Sequence, residues 1–277
     1  MQILLNELSL NGQFESVEDF SENAIPKIIS VFKDLGEKDL VYKKYDFFNQ
    51  NVTAHQNVHQ ILTGAASRTF DEIRRFKVYL FNLFEDPYWE ESPKHSFDNN
   101  YIYQDSDIRG TSLAESCERD LMVLSFLHVD FTTNQLIVTK NVNNIEVENL
   151  LDKGDYFEAC WNLNKTTLEE YCHNKYNDKS KLNFTLIDDR HGFNLLESND
   201  DIEIFKGGFK KFEELTWQQI GVDDGLDYKP YDNKNFYKEI KTKKHKFRIN
   251  QKYRCFGFVE NGIFYVLCFD LTHKLSD

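Results

Sequence analysis

The dipeptide Asn261-Gly262, which lies between two apolar runs, constrains the fold of this chain more than any other feature. Asn-Gly is the strongest short-range signal for a β-hairpin, because a two-residue type I′ turn needs positive φ at both central positions. We therefore expect residues 253–259 and 263–270 to form paired strands. With this loop, the predicted pairs are Glu260 with Ile263, Phe258 with Tyr265, Phe256 with Leu267, Cys255 with Cys268, and Arg254 with Phe269.

A third strand is predicted at residues 246–250, just before the hairpin. Phe247 and Ile249 alternate with Lys246 and Arg248, which is the period of two that a strand requires. Three consecutive strands of this kind form a meander. Both faces of the hairpin are apolar, so we expect the sheet to be covered on both sides. Arg254 interrupts that apolar pattern near one end of its strand.

The rest of the chain mixes helical and strand-like patterns, which predicts an α+β fold with an antiparallel sheet packed against helices. A length of 277 residues suits one or two domains. An Asn-rich and then acidic stretch at residues 142–152 indicates a boundary near residues 155–165. We therefore divide the chain into an acidic α+β domain of unknown role, residues 1–160, and a basic domain, residues 161–277.

The composition favours a cytoplasmic protein. The five cysteines are scattered and odd in number, which fits a reducing compartment better than a disulfide framework. The first residues lack the basic region and the apolar core of a signal peptide. The longest apolar stretch, residues 121–129, is too short to cross a bilayer, so no membrane partner is expected.

Positive charge is concentrated at the end of an acidic chain. Residues 229–277 contain eleven Lys and Arg against five Asp and Glu, a net charge of about +6. The whole chain carries −13, so residues 1–228 carry −19 by difference. A basic segment of this kind indicates a surface for phosphate or RNA. A solvated Lys-rich loop before a strand explains the same counts equally well.

The closing segment, residues 244–277, combines these signals in a characteristic order. A basic run is followed by Phe247-Arg248-Ile249, Tyr253-Arg254, the hairpin, and a last strand with His273 after it. This order resembles the C-terminal half of the RelE/ParE/HigB toxin superfamily. Its residue pattern is most similar to the YoeB type of messenger-RNA-cleaving toxin. The resemblance implies a small antiparallel sheet packed against helices, with basic residues on an open face over the RNA.

The resemblance also implies roles for individual residues. Arg254 corresponds to the strand arginine that stabilises the transition-state phosphate, Arg248 to the basic residue of the preceding strand, and His273 to a C-terminal general acid. Lys274 departs from the pattern, because an aromatic residue often follows that histidine. No carboxylate base is identified, Glu239 being the nearest candidate, and no metal or other cofactor is implied. The basic side chains expected to bind RNA are Lys244, Lys246, Lys252 and Lys274.

These residue types suit RNA cleavage near neutral pH. Attack by the 2′-hydroxyl needs a proton acceptor, a cation for the charge on the phosphorane, and an acid for the leaving oxygen, and His, Arg and Lys can supply these functions. Two structural alternatives remain open. Arg254 could pair with Asp270 across the end of the sheet, and His273 could be a frayed terminal residue.

Two main hypotheses follow from these observations. The first is a toxin-like, metal-independent endoribonuclease of the mRNA interferase type, fused to an acidic regulatory or sensing domain in a toxin–antitoxin or antiviral defence system. Its partners would be RNA, free or on the ribosome, and an antitoxin or another defence-system protein. The second is a non-enzymatic interaction or sensor protein of such a system. A third, a metal-dependent nuclease, depends on Asp188-Asp189-Arg190-His191, for which a turn is the commoner explanation.

Overall fold

Helices and strands are mixed along the whole chain, which confirms the predicted α+β class. The computed structural model describes residues 1–82, 87–127, 129–176, 180–233 and 235–275. The chain forms two compact units, Met1–Tyr156 and Phe157–Asp277. The sequence-based division is made after residue 160, and the structural division falls between Tyr156 and Phe157.

The N-terminal unit is built on one large sheet. Its strands are β1 (Gln2–Asn6), β2 (Leu40–Tyr42), β3 (Tyr101–Tyr103), β4 (Ser106–Asp107), β5 (Met122–Ser125), β6 (Gln135–Lys140) and β7 (Asn143–Leu150). Its helices are α1 (Val17–Asp19), α2 (Ile25–Asp34), α3 (Val58–Thr63), α4 (Ala66–Thr69), α5 (Asp71–Asn82) and α6 (Ser112–Arg119). Within the described residues the sheet has seven strands, in the order β2-β1-β5-β7-β6-β3-β4.

The C-terminal unit carries a smaller sheet. Helix α7 (Lys153–Asn162) spans the division between the units and is followed by the helices α8 (Leu168–Lys175), α9 (Asn199–Glu214) and α10 (Trp217–Ile220). The strands are β8 (Leu182–Asn183), β9 (Lys229–Pro230), β10 (Lys244–Arg248), β11 (Arg254–Glu260) and β12 (Ile263–Asp270). In the described part of the unit the sheet has five strands, in the order β8-β12-β11-β10-β9.

The prediction of an antiparallel sheet is wrong, because both sheets are mixed. In the N-terminal unit, β1 pairs in parallel with β2 and with β5, and β5 pairs in parallel with β7. In the C-terminal unit, β8 pairs in parallel with β12. Parallel neighbours need a long crossover connection, and the connection between β1 and its parallel neighbour β2 contains the helices α1 and α2. The hairpin signals in the sequence are local, so they report only antiparallel neighbours.

The predicted meander is present as β10, β11 and β12, each antiparallel to the next. The turn is confirmed: Glu260 faces Ile263, and Asn261 and Gly262 have φ of 51° and 78°. The predicted bounds of β10 are wrong by two residues, because the strand covers Lys244–Arg248 rather than residues 246–250.

A β-bulge between Phe256 and Gly257 makes part of the predicted register wrong. The bulge inserts one extra residue on β12, so every pair beyond it moves by one position. Phe258 still faces Tyr265, as predicted, but the observed pairs beyond the bulge are Phe256 with Cys268, Cys255 with Phe269, and Arg254 with Asp270.

The core of the C-terminal unit is an aromatic layer between α9 and one face of the sheet. Helix α9 begins after Ser198, whose hydroxyl accepts a hydrogen bond from the Asp201 N–H. The ring centroid of Phe212 lies 4.5 Å from that of Phe247, and the centroid of Phe205 lies 4.6 Å from that of Phe269. Fully burying a side chain of this size contributes roughly 1.5–3 kcal/mol, so this layer fixes which face of the sheet turns inward.

We predict that Gly257→Ala destabilises the protein by about 3 kcal/mol, because its Cβ has no room. A Cβ at position 257 would lie 2.1 Å from the Tyr265 carbonyl oxygen and 2.5 Å from the Phe264 ring. Gly207→Ala in α9 is the matched control: its Cβ meets nothing within 4 Å, and we expect it to stabilise the helix by about 0.5–1 kcal/mol. Urea unfolding measures both, and equal stability of Gly257→Ala and the unmutated protein would contradict the prediction.

Candidate functional site

The basic side chains of β10 lie on the sheet face opposite α9. Phe247 is fully buried beneath Phe212, so the alternation of a strand turns Lys244, Lys246 and Arg248 to the other side. All three are half-buried. The prediction that Lys246 and Arg248 share a face opposite Phe247 is therefore confirmed.

Arg248, Arg254 and Asp270 form one row across this face. Arg248 pairs with Arg254, and Arg254 pairs with Asp270 in the register of β10, β11 and β12. Like charges that face each other directly across strands are destabilising. Burial and the nearby Arg248 lower the pKa of Arg254, and Asp227 and Asp270 counteract that effect.

Lys229, Lys246 and Phe256 form the next row. Lys229 of β9 pairs with Lys246, which pairs with Phe256. The Lys246 ammonium lies 5.5 Å from the ring centroid of Tyr231 and 5.7 Å from that of Phe256. Burial lowers the pKa of Lys246, and the neighbouring charges of Lys229 and Arg254 lower it further. We call the set Lys229, Lys244, Lys246, Arg248 and Arg254 the cationic face.

Asp227 offsets part of this charge. Its Oδ2 accepts hydrogen bonds from Lys229 Nζ at 2.9 Å and from Arg248 Nη2 at 3.0 Å. These contacts hold the pKa of Asp227 below its usual value, the bond from Lys229 contributing most. Arg248 Nε is buried and has no hydrogen-bond acceptor among the described residues. Four basic groups, Lys229, Lys246, Arg248 and Arg254, thus lie close to the carboxylates of Asp227 and Asp270, and the described part of this face retains an excess of positive charge.

Arg254 also has a structural role. Its Nη1 donates hydrogen bonds to the carbonyl oxygens of Asn250 at 2.9 Å, Gln251 at 3.2 Å and Tyr253 at 3.0 Å. These bonds fasten the turn between β10 and β11. Asp270 is in register beside Arg254 and accepts from the backbone N–H groups of Thr272 and Leu275 at 3.1 Å each.

The opposite end of the same face is covered by apolar side chains. Phe256 and Phe258 of β11 pack with Phe236, and partly buried Tyr231 and Ile240 contact the same cluster. The segment before β10 therefore covers this face from the row of Lys246 and Phe256 toward the hairpin, where Lys244 pairs with Phe258. Arg248 and Arg254, in the row beyond, are half-buried.

The remaining predicted residues do not join the two rows through described contacts. His273 lies beyond the end of β12 with φ of 63°, and no hydrogen bond of its ring to a described residue is present. Lys252 Nζ lies 5.2 Å from the centroid of the Tyr253 ring, and Lys274 is exposed. Lys244 Nζ donates to the Ile240 carbonyl. The described contacts therefore give no acid–base pair beside Arg254.

The polar cluster after β8 is a turn. Asp188 Oδ1 accepts from the N–H groups of Arg190 at 2.7 Å and His191 at 3.2 Å. Among the described residues, no group of three or more His, Cys, Asp or Glu side chains is arranged to hold a metal ion. The described residues therefore offer no support for the metal-dependent nuclease.

Sequence reasoning missed Asp227 and Tyr231 at the cationic face. Both lie in the irregular segment around β9, where no periodicity marks them, and they reach the site through the pairing of β9 with β10. The only available signal was their position just before a basic strand.

Comparisons with protein-family models, with curated proteins and with solved structures found no match. In the described part of the chain, no helix combines the length and the apolar character needed to cross a bilayer.

We predict that Arg254→Ala lowers the free energy of unfolding by about 2 kcal/mol, because hydrogen bonds from a charged donor to three backbone carbonyls are lost. Lys252→Ala is the control, since this exposed neighbour should change stability by less than about 0.5 kcal/mol. Chemical denaturation of the full chain measures both. A loss for Arg254→Ala no larger than for Lys252→Ala would show that the turn does not depend on these bonds.

Proposed function

We propose that the C-terminal unit binds RNA on the cationic face and acts as a RelE-like endoribonuclease domain, with the acidic N-terminal unit as its regulatory part. The observation that supports binding most is the pair of rows formed by Lys229, Lys246, Arg248 and Arg254. A polyanion is the class of partner that such a surface attracts, because phosphate contacts supply most of the affinity of proteins for nucleic acids.

The half-buried state of Lys246, Arg248 and Arg254 favours phosphate binding. Lys246 pays a desolvation cost that lowers its pKa, and Arg248 Nε lacks an acceptor among the described residues. A phosphate oxygen beside them would favour the charged state of Lys246. In a partly water-excluded setting the attraction between the charges is stronger than in bulk water.

We further propose that the C-terminal unit cleaves the RNA that it binds. The resemblance of residues 244–277 to the RelE/ParE/HigB toxins supports this step. In that mechanism Arg254 would stabilise the negative charge that develops on the phosphorane, Arg248 would assist it, and His273 would protonate the leaving 5′-oxygen. The 2′-hydroxyl loses its proton to water and attacks the adjacent phosphate, and the bond from phosphorus to the 5′-oxygen breaks. The products therefore carry a 2′,3′-cyclic phosphate and a 5′-hydroxyl. No metal ion takes part in this scheme.

Binding without cleavage is the second candidate function. The contacts of Arg254 with three carbonyl oxygens favour it, because they explain this arginine without any ligand. The lack of described hydrogen bonds to the His273 ring favours it as well. On this reading the protein is an interaction or sensor subunit, for example of a toxin–antitoxin or antiviral defence system, that recognises RNA or an acidic protein partner.

For binding, we expect Lys246→Ala/Arg248→Ala to weaken the affinity of the full chain for single-stranded RNA by at least about tenfold and to reduce its salt dependence. Each lost phosphate contact should reduce the slope of log affinity against log salt by about 0.7. The control is Lys38→Ala/Lys210→Ala, which removes the same charge from exposed positions elsewhere. Fluorescence anisotropy at several salt concentrations measures all three proteins, and an equal loss in both double variants would contradict a localised RNA site.

For cleavage, we expect the purified full chain to cut single-stranded RNA in the presence of a chelator and to leave 2′,3′-cyclic phosphate ends. Arg254→Lys and His273→Gln should each slow cleavage by at least about a hundredfold while RNA binding persists, since the first loses electrostatic stabilisation of the phosphorane and the second loses general acid catalysis. RNA that stays intact despite tight binding would reject the enzyme and leave the binding protein.

A further inference from the structure

A recess lies on the same sheet face as the cations, beside the apolar cluster of Phe236, Phe256 and Phe258. It has a volume of about 330 Å³ and lies between the turn at residues 188–191 and the segment at residues 235–239. Phe236, Cys268 and Leu275 provide apolar lining, and polar groups of both segments form the remainder. A largely preformed pocket with a few convergent polar groups is the usual form of a small-ligand site.

The turn at one side of this pocket is held rigidly against β12. Asp188 N–H donates to the Leu267 carbonyl at 2.8 Å, and Phe269 N–H donates to the His191 carbonyl at 2.6 Å. Gly192 allows the tight turn, because a Cβ there would lie 2.6 Å from the Asp188 carbonyl oxygen. The Asp188 carboxylate is therefore fixed in position before any ligand arrives.

The opposite wall holds a strained residue. Tyr237 has φ of 42°, a conformation that non-glycine residues seldom adopt and that clusters at binding sites. Its hydroxyl lies 3.4 Å from the Leu267 carbonyl oxygen and also interacts with Asp188 and with Cys268. The phenol thus anchors the segment beside the carboxylate.

The ionisation states suit binding rather than covalent chemistry. Burial opposes ionisation of Asp188, but hydrogen bonds from Arg190, Tyr237 and His191 outweigh it and lower the pKa of the carboxyl. Burial raises the pKa of Tyr237 and raises that of Cys268 to about 12. Asp188, His191 and Cys268 have the residue types of a cysteine triad, yet the thiol is neutral, buried and directed to Tyr237. The pocket therefore presents the ionised Asp188 carboxylate beside apolar surface, and the exposed side chains of Lys238 and Glu239 also line it.

The pocket and the cationic face share a wall. The Phe236 ring centroid lies 5.4 Å from that of Phe256 and 5.1 Å from that of Tyr231, the two rings beneath the Lys246 ammonium. Lys246, Phe256 and Cys268 stand in one row, so the lysine and the pocket are two strand spacings apart, about 10 Å. A nucleotide with its phosphate near Lys246 could place its base at the pocket.

We propose that this pocket binds a guanine base, with the Asp188 carboxylate accepting hydrogen bonds from the ring N–H and the exocyclic amino group. Guanine presents these two donors side by side on its Watson–Crick edge, the edge by which single-stranded bases are read. The apolar lining suits the flat faces of the ring. The contribution of the phosphate rests on the proposed RNA binding, whereas recognition of the base does not.

The test uses the full chain and four probes: GMP, IMP, AMP and guanosine. IMP lacks the exocyclic amino group, AMP lacks both donors, and guanosine lacks the phosphate. We expect calorimetry to show GMP binding at least about tenfold more tightly than IMP or AMP, the effect of one lost charge-assisted hydrogen bond. Asp188→Asn should abolish this preference, and Asp189→Asn should retain it, because the adjacent exposed carboxylate does not line the pocket.

The results also distinguish the guanine pocket from the proposed RNA binding. Binding of guanosine that depends on Asp188, with no binding of RNA, would support the pocket and reject the proposed function. Equal affinity for all four probes, or no binding of any probe to the unmutated protein, would overturn the pocket. Tyr237→Phe provides a second variant that preserves the ring, and circular dichroism establishes that Asp188→Asn is folded. If folded Asp188→Asn keeps the preference for GMP, the inference is wrong.

Discussion

The contact between the aromatic face of α9 and the sheet of the C-terminal unit determines the rest of this unit. Phe205, Phe209 and Phe212 are fully buried on the helix and meet Phe247 and Phe269 on the strands. Side chains alternate across a strand, so turning Phe247 inward turns both of its basic neighbours outward. The position of the cations is therefore a consequence of core packing, and a slip of one residue in β10 would bury them.

The sheet tolerates these positive charges because backbone carbonyl oxygens and a carboxylate accept hydrogen bonds from them. Arg254 faces Arg248 directly, an arrangement that costs stability unless each guanidinium has acceptors. Three carbonyl oxygens serve Arg254, and Asp227 serves Arg248 and Lys229 together. The lowered pKa values of Lys246 and Arg254 indicate that compensation is incomplete. A ligand that binds only the folded state and supplies negative charge here would stabilise the protein by mass action.

The parts of this arrangement that could be predicted are those that depend on neighbours in sequence. Asn261-Gly262 specifies its turn by backbone geometry alone, and the alternation around Phe247 assigns the faces of β10. The bulge at Gly257 could not be predicted, because it depends on how Phe264 and the backbone of β12 fit against β11. The parallel pairing of β1 with β5 joins residues more than a hundred positions apart, and Asp227 reaches Arg248 only through the fold.

Arginine suits position 254 for a reason that connects structure with the proposed chemistry. A guanidinium has five N–H donors in a rigid fork, and the three carbonyl contacts involve only Nη1. The same side chain can therefore fasten the turn and direct its other nitrogens to a phosphate. A lysine has one nitrogen and would have to exchange one role for the other. Structural bonding of Arg254 is thus compatible with catalysis, and it would hold the charge in place before the substrate binds, which is the condition for electrostatic stabilisation of a transition state.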